Sequence, residues 1–188
     1  MIREWVEKNR SCRGYERKPV PMETLMDLVD CVRLCACGGN RQELRYALSC
    51  TEEKNARIFP HIRWAAALKE RHLPDPGKEP AAYVVVCLAP EAGRDLGPSQ
   101  AVDVGIAAQT LCLAAAEKGL ANCMIMAFDR AGVRADLGLA AEPVLIVALG
   151  YRAEEAVLEA WKEGMPAYWR DEKDVHHVPK RSLEECLL

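Results

Sequence analysis

Two stretches of this sequence are apolar without a break: Ala82-Tyr83-Val84-Val85-Val86-Cys87-Leu88, and Pro143 to Leu149, which runs on into Gly150-Tyr151-Arg152. A strand with one wet face alternates polar and apolar residues, because successive side chains point to opposite sides. Unbroken runs of this length therefore predict strands covered on both faces, and so a sheet enclosed by helices. Between them, Ser99 to Lys118 reads as the longest helix, with Gly119 as its C-terminal cap. It is alanine-rich nearly all round (Ala101, Ala107, Ala108, Ala114, Ala115, Ala116), which predicts burial, either centrally or against another subunit.

The remaining elements follow from periodicity and punctuation. Residues 2–9 form a short amphipathic helix leading into a basic segment, Lys8 to Lys18, through which Pro19 and Pro21 bar a helix. A second helix starts at Pro21; Leu25, Leu28, Val29, Val32 and Cys35 recur at helical spacing until Cys37-Gly38-Gly39-Asn40 ends it. Leu44 to Cys50 reads as a strand, 61–72 as a helix (Trp64, Ala65, Leu68), Leu120 to Phe128 as a strand and Arg130 to Leu137 as a helix. Val175 to Val178 reads as an edge or exchanged strand, in which the adjacent His176 and His177 point to opposite faces. Ser182 to Leu188 is a last helical turn. With no internal repeat and no low-complexity linker, the expectation is one α+β domain over residues 1–188. Its core is a central mixed or antiparallel sheet of about four to five strands flanked by helices.

Composition narrows the function. A net charge of −3 and a pI of about 5.9 exclude a general nucleic-acid binder. The longest apolar stretch, Val104 to Ala116, is interrupted by Gln109 and Thr110 and is too short to span a bilayer. The first residues, Met1-Ile2-Arg3-Glu4-Trp5, hold no signal-peptide core, so a soluble cytoplasmic protein without membrane or nucleic-acid partners is expected. Nine cysteines, an odd number, do not form a secreted disulfide framework here. The spacing Cys31-x3-Cys35-x-Cys37 matches no structural zinc pattern, and no metal is expected. No GxxxxGK[ST], GxGxxG, GxSxG or HExxH is present, and no carboxylate pair stands out for acid–base hydrolysis.

Two polar clusters remain. Arg10-Ser11-Cys12-Arg13 lies in an extended segment fixed by Pro19 and Pro21, with two guanidinium groups flanking a hydroxyl. That arrangement suits a phosphate, although a solvated basic stretch has the same composition. Gly38-Gly39-Asn40-Arg41-Gln42 follows an apolar helix; its two amide side chains at i and i+2 present donors and acceptors to a flat heteroaromatic edge, or form a helix-ending turn.

Taken together and in order, these clusters resemble the nitroreductase family of flavoproteins. Arg10-Ser11-Cys12-Arg13-Gly14-Tyr15 followed by Lys18-Pro19-Val20-Pro21 is similar to its R-R-S-x-R-x-F/Y and K-P-V-P opening. Arg33 to Gln42 resembles R-L-A-P-S-A-G-N-x-Q, and Asp103-Val104-Gly105-Ile106-Ala107-Ala108-Gln109 resembles the central D-x-G-I-A-A-Q-N helix. Pro143 to Tyr151 is similar to the closing P-x-x-x-x-x-L-G-Y strand, and Val178 to Glu185 to the basic C-terminal tail. The chain departs from the pattern at Asn9, where the family often has an arginine. It departs again at Ala36-Cys37 for Pro-Ser, at Glu43 for Pro, and at Met126-Ala127, where a glycine is common.

The resemblance implies FMN as cofactor, held at the seam of an intertwined homodimer. Arg10, Ser11 and Arg13 are then expected on its phosphate from one end of the chain, with Lys180 and Arg181 from the other. Asn40 and Gln42 are expected on the ring or ribityl chain, with Cys37 beside the flavin where the family has a hydroxyl. The backbone at Met126 and Ala127 is expected near flavin N5. It further implies NAD(P)H as electron donor and ping-pong reduction of a small-molecule acceptor such as a nitroaromatic or quinone. The chemistry then takes place at the flavin rather than on a catalytic side chain. Residues 52–80 are the expected cover of the pocket. Two alternatives carry different expectations: an FMN-binding protein with little turnover, used for flavin storage or redox sensing, and a metallothiol protein using Cys31, Cys35 and Cys37.

Overall fold

The computed structural model describes every residue except Ala66, Ala67, Lys69 and Glu70. In chain order the elements are α1 (Ile2–Lys8), α2 (Met22–Val32), β1 (Leu44–Ser49), α3 (Glu52–Ile58), β2 (Ala82–Leu88), α4 (Pro98–Glu117), β3 (Ala121–Ile125), α5 (Arg130–Asp136), β4 (Glu142–Gly150), β5 (Ala156–Ala160), β6 (Trp169–Arg170), β7 (His176–Lys180) and α6 (Leu183–Cys186). Four strands form an antiparallel sheet in the order β1-β2-β4-β3, and three form a smaller sheet in the order β5-β7-β6.

The two apolar runs are the inner strands of the first sheet, pairing Ala82 with Leu149 at one end and Leu88 with Glu142 at the other. Alternate residues serve two cores. Val84, Val86 and Leu88 pack with Leu25, Leu28 and Leu111 of α2 and α4, while Tyr83, Val85 and Cys87 pack with Ile58, Phe128 and Val133 on the opposite face. Each fully buried aliphatic side chain contributes about 1.5–3 kcal/mol, so these strands anchor the fold.

Helix α4 ends as its sequence predicts. Gly119 takes φ +76°, and the N–H groups of Leu120 and Gly119 donate to the carbonyls of Ala115 and Ala116 (2.9 and 3.0 Å). Its burial is one-sided, however. Asp103, Val104, Ala107, Ala108, Leu111, Cys112 and Ala115 face the core, whereas Val102, Gly105, Ile106 and Gln109 face outward.

Three expectations are corrected. The helix expected over 61–72 forms upstream instead, at Glu52–Ile58, where the Thr51 hydroxyl accepts from Lys54 N (3.3 Å). Phe59–His61 is a single 3-10 turn containing Pro60, Ile62 bridges to Phe128, and Ala66, Ala67, Lys69 and Glu70 lie outside the described residues. The strand at the C-terminus is not an edge within the chain. Strand β7 is the middle of the second sheet, parallel to β5 and antiparallel to β6. That sheet lacks uninterrupted apolar runs, so hydrophobic patterning alone did not reveal β5 or β6. Helix α2 stops at Val32, and Cys35 to Cys37 belong to the loop that follows. Among the described residues no helix is long and apolar enough to cross a membrane.

Candidate functional site

The basic tetrad lies along the outer edge of β3. Ser11 bridges to Asn122, and Cys12 N–H donates to Asn122 O (2.8 Å). Tyr15 sets the turn that follows: its buried hydroxyl donates to Cys12 O (2.7 Å), and its ring lies so close to Gly150 that a Cβ there would be 2.7 Å from Tyr15 Cδ1. Residues 14–16 then pair with 151–153 through Ala153 N–H to Gly14 O (2.9 Å) and Glu16 N–H to Tyr151 O (2.8 Å).

The tetrad's side chains diverge. Ser11 is exposed, and Arg10 is half-buried, donating through Nη2 to Val6 O while its Nε has no acceptor among the described residues. Arg13 turns inward. Its backbone N–H donates to Glu154 Oε1 (2.8 Å), its Nη1 lies 3.1 Å from His176 Nε2, and its guanidinium stacks 4.9 Å from the Tyr168 ring centre. Because guanidinium is always a donor, His176 accepts at Nε2 and carries its proton on Nδ1. Burial, and then the charge of Arg13, push His176 down to about 4. Arg170 closes the cluster with ion pairs to Glu154 and, at 3.0 Å, to Asp174.

Lys180 and Arg181 lie at the exposed end of β7. Arg181 stacks 4.1 Å from the Trp161 ring centre and pairs with Glu185 (3.4 Å). At about 3.3 Å per residue, Lys180 is roughly 13 Å along β7 from the Arg13–His176 contact. Within one chain the C-terminal basic pair is thus set apart from the end of β7 that Arg13 touches.

The amide cluster forms a strained loop. Gly39, Asn40 and Gln42 all take left-handed φ (58°, 53° and 52°), a conformation that Asn tolerates and Gln rarely adopts. The loop is fastened by Gly38 N–H to Asp103 Oδ1 (2.9 Å), Gln42 N–H to Cys37 Sγ (3.4 Å) and Gln42 Nε2 to Asn40 Oδ1 (3.3 Å). Cys37, Asn40 and Gln42 are thus brought together, beside a cavity of about 330 Å³ that Cys35, Gln42, Tyr46 and Asp103 help to line. Met126 and Ala127 are exposed just past β3, where Ala127 O accepts from Arg63 N (2.9 Å). They occupy the opposite end of β3 from Ser11, four residues or about 13 Å away. The amide loop precedes β1, three strand spacings across the sheet at about 4.8 Å each.

Sequence reasoning missed Arg152, Glu154, Tyr168 and Arg170, which build the inner side of the tetrad. The only sequence signal was the charge of Arg152, Glu154 and Arg170; Tyr168 gave none. The opposite orientation of the two histidines was readable: His176 meets Arg13, and His177 stacks on Trp169 at 4.0 Å and 16°.

The nitroreductase family model matches residues 6–151. The chain belongs to the nitroreductase family. Solved structures share the fold of this nitroreductase chain. A nitroreductase-like protein of Desulfovibrio desulfuricans in complex with FMN is 19% identical, with a TM-score of 0.70, covering 100% of this chain and 95% of that one. A family protein of Clostridium difficile is 23% identical with a TM-score of 0.64, over 82% and 85% of the two chains. The FMN-dependent nitroreductase NfnB of Mycobacterium smegmatis, in complex with NADPH, is 19% identical with a TM-score of 0.62, over 80% and 87%. No curated protein sequence matches the chain.

Proposed function

We propose that this nitroreductase-family chain is an FMN-dependent oxidoreductase that passes reducing equivalents from NAD(P)H to a nitroaromatic, quinone or similar small acceptor. The observation that carries this reading is the outer edge of β3. Basic donors lie at one end of it and exposed backbone at the other, separated as the anionic tail and planar head of one ligand require. The donors fit such a tail: Arg10 Nε is buried without an acceptor among the described residues, and Ser11 is exposed. When bound, the flavin supplies the redox chemistry.

The chain's own residues bind and orient. Arg10 and Ser11 hold the phosphate, joined by Lys180 and Arg181 from a second copy, and Arg13, turned inward onto His176 and Tyr168, supports the segment from behind; each charge-assisted bond contributes about 1.5–3 kcal/mol. The Met126–Ala127 backbone lies along the ring edge. Asn40 and Gln42, fixed by the strained loop, meet the ring or ribityl chain, with Cys37 behind them. Since the amide loop and the β3 edge lie on opposite sides of one sheet, the loop of a second copy completes the site in a homodimer. The outward face of α4 supports that pairing, with Val102 at 61% and Ile106 at 37% exposure. Of the expected cover, 52–80, the described residues are proposed to lie over the acceptor, supported by the contacts of Ile62 with Phe128 and Arg63 with Ala127.

The test is reconstitution with FMN followed by NAD(P)H oxidation against a panel of quinones and nitro compounds. Turnover well above free FMN supports the reading. Stoichiometric flavin uptake with turnover no greater than free FMN replaces it with flavin storage, and zinc without flavin overturns it.

A further inference from the structure

Arg152 lies just beyond β4, where it bridges to Tyr15 beside the basic tetrad. One arm of its guanidinium, Nη2, donates to Arg10 O at 2.7 Å. The other, Nη1, is buried with no acceptor among the described residues, and the same holds for Arg10 Nε. Two arginines joined at the Arg10 carbonyl therefore each carry a buried donor that no atom of the described residues accepts. Arg10 is held below the usual arginine range by burial first and by the charge of Arg152 second.

The carboxylate nearest in sequence does not resolve this. Glu154 is taken up by Arg13 N–H through Oε1 and by Arg170 through Oε2, and no ion pair joins Arg10 or Arg152 to an acid among the described residues. Nor does Asn9 enter. Its Oδ1 accepts from Asn122 Nδ2 (2.9 Å), which also donates to Cys112 O (3.1 Å), so its side chain is turned into the seam between β3 and α4. Unsatisfied buried donors of like charge cost free energy unless an anion lies between them.

We infer that Arg152 joins Arg10 in a two-guanidinium grip on the phosphate monoester of the flavin. The planar, multi-donor fork of each arginine suits a dianion with several acceptor oxygens. The grip is tied to the strand end after β4, so the phosphate is held from the sheet as well as from the N-terminal segment. This inference rests on the flavin-binding reading above.

The experiment compares equilibrium binding of FMN and of riboflavin, which lacks the phosphate, to the full chain by flavin fluorescence. Arg152→Met is expected to weaken FMN about 10- to 100-fold and to leave riboflavin affinity unchanged. Arg152→Lys, which keeps the charge and loses the fork, is expected to give a smaller drop in the FMN-to-riboflavin ratio. Riboflavin affinity also reports that the variant is folded; where Arg152→Met does not fold, the Lys variant decides. An unchanged ratio overturns the inference while leaving flavin binding intact. A wild-type chain that binds neither flavin removes the reading on which it rests. Inorganic phosphate raising the melting temperature of the wild type as much as FMN does would assign the grip to free phosphate instead, and overturn it.

Discussion

In β2 every side chain from Ala82 to Leu88 is buried, and none is charged; in β7, His176 is buried against Arg13 while His177 lies half-covered on Trp169. The first sheet is held by dry aliphatic packing on both faces. The second is held by an ionic cluster (Arg13, Glu154, Arg170, His176) and two aromatic contacts, Tyr168 with His176 and Trp169 with His177. Packing of the first kind spreads its contribution over many small contacts and tolerates loss at one of them. The second kind concentrates it in a few buried charges, where removing one partner strands another. The second sheet also bears the proposed phosphate ligands of the C-terminus, so the site depends on the less tolerant half.

Four variants or conditions separate the two halves. The largest effect is expected for Glu154→Ala, which leaves the buried Arg170 with the more exposed Asp174 as its remaining ion-pair partner and frees the Arg13 N–H, at a cost of up to about 3–5 kcal/mol. Amide hydrogen exchange is expected to show β5, β6 and β7 opening while β2 and β4 stay protected; uniform loss of protection would merge the two halves into one. Ile146→Ala, in the second core, is expected to cost about 2–5 kcal/mol and to lower the denaturation midpoint of both sheets together.

Acid acts next. His176 has a folded pKa of about 4, below its ordinary value of 6.5, so the unfolded chain takes up the proton first as pH falls. The stability it confers is present above pH 6.5 and is lost between 6.5 and 4, about 3 kcal/mol at most. Urea titrations at pH 7 and pH 4 are expected to show that loss in the wild type and a smaller one in His176→Gln; equal losses would contradict the assignment. The smallest effect is expected for Trp169→Leu. It removes the stack on His177 and the Nε1–H bond to Glu159 (2.8 Å), about 1–2 kcal/mol, read as faster exchange in β6 and β7 alone.

This contrast also explains what the sequence made visible. The inner strands and the end of α4 were legible because burial on both faces demands apolar runs and the helix stop demands a left-handed residue at Gly119. Helix α3 was not, since its residues are nearly all polar and its main mark is the Thr51 cap rather than a period. Strand β5 was hidden because its apolar run, Ala156-Val157-Leu158, is only three residues long, and β6 because a charged and an aromatic residue make it up and no periodicity scale rewards a buried Arg170. Arg10, Ser11, Asn40 and Gln42 stood out through the family resemblance, but the left-handed φ of Gln42 and the inward turn of Arg13 came only with the structure. The partnership of Arg152 with Arg10 spans 142 residues, and nothing local announces it.

The central claim is that the basic edge of β3 anchors a flavin mononucleotide, and the most direct measurement is the visible absorbance spectrum of the chain after incubation with FMN and removal of free ligand. The account predicts flavin bands at stoichiometric occupancy, lost in the double variant Arg10→Ala, Arg152→Ala. A colourless wild-type chain, or full occupancy in the double variant, would contradict it.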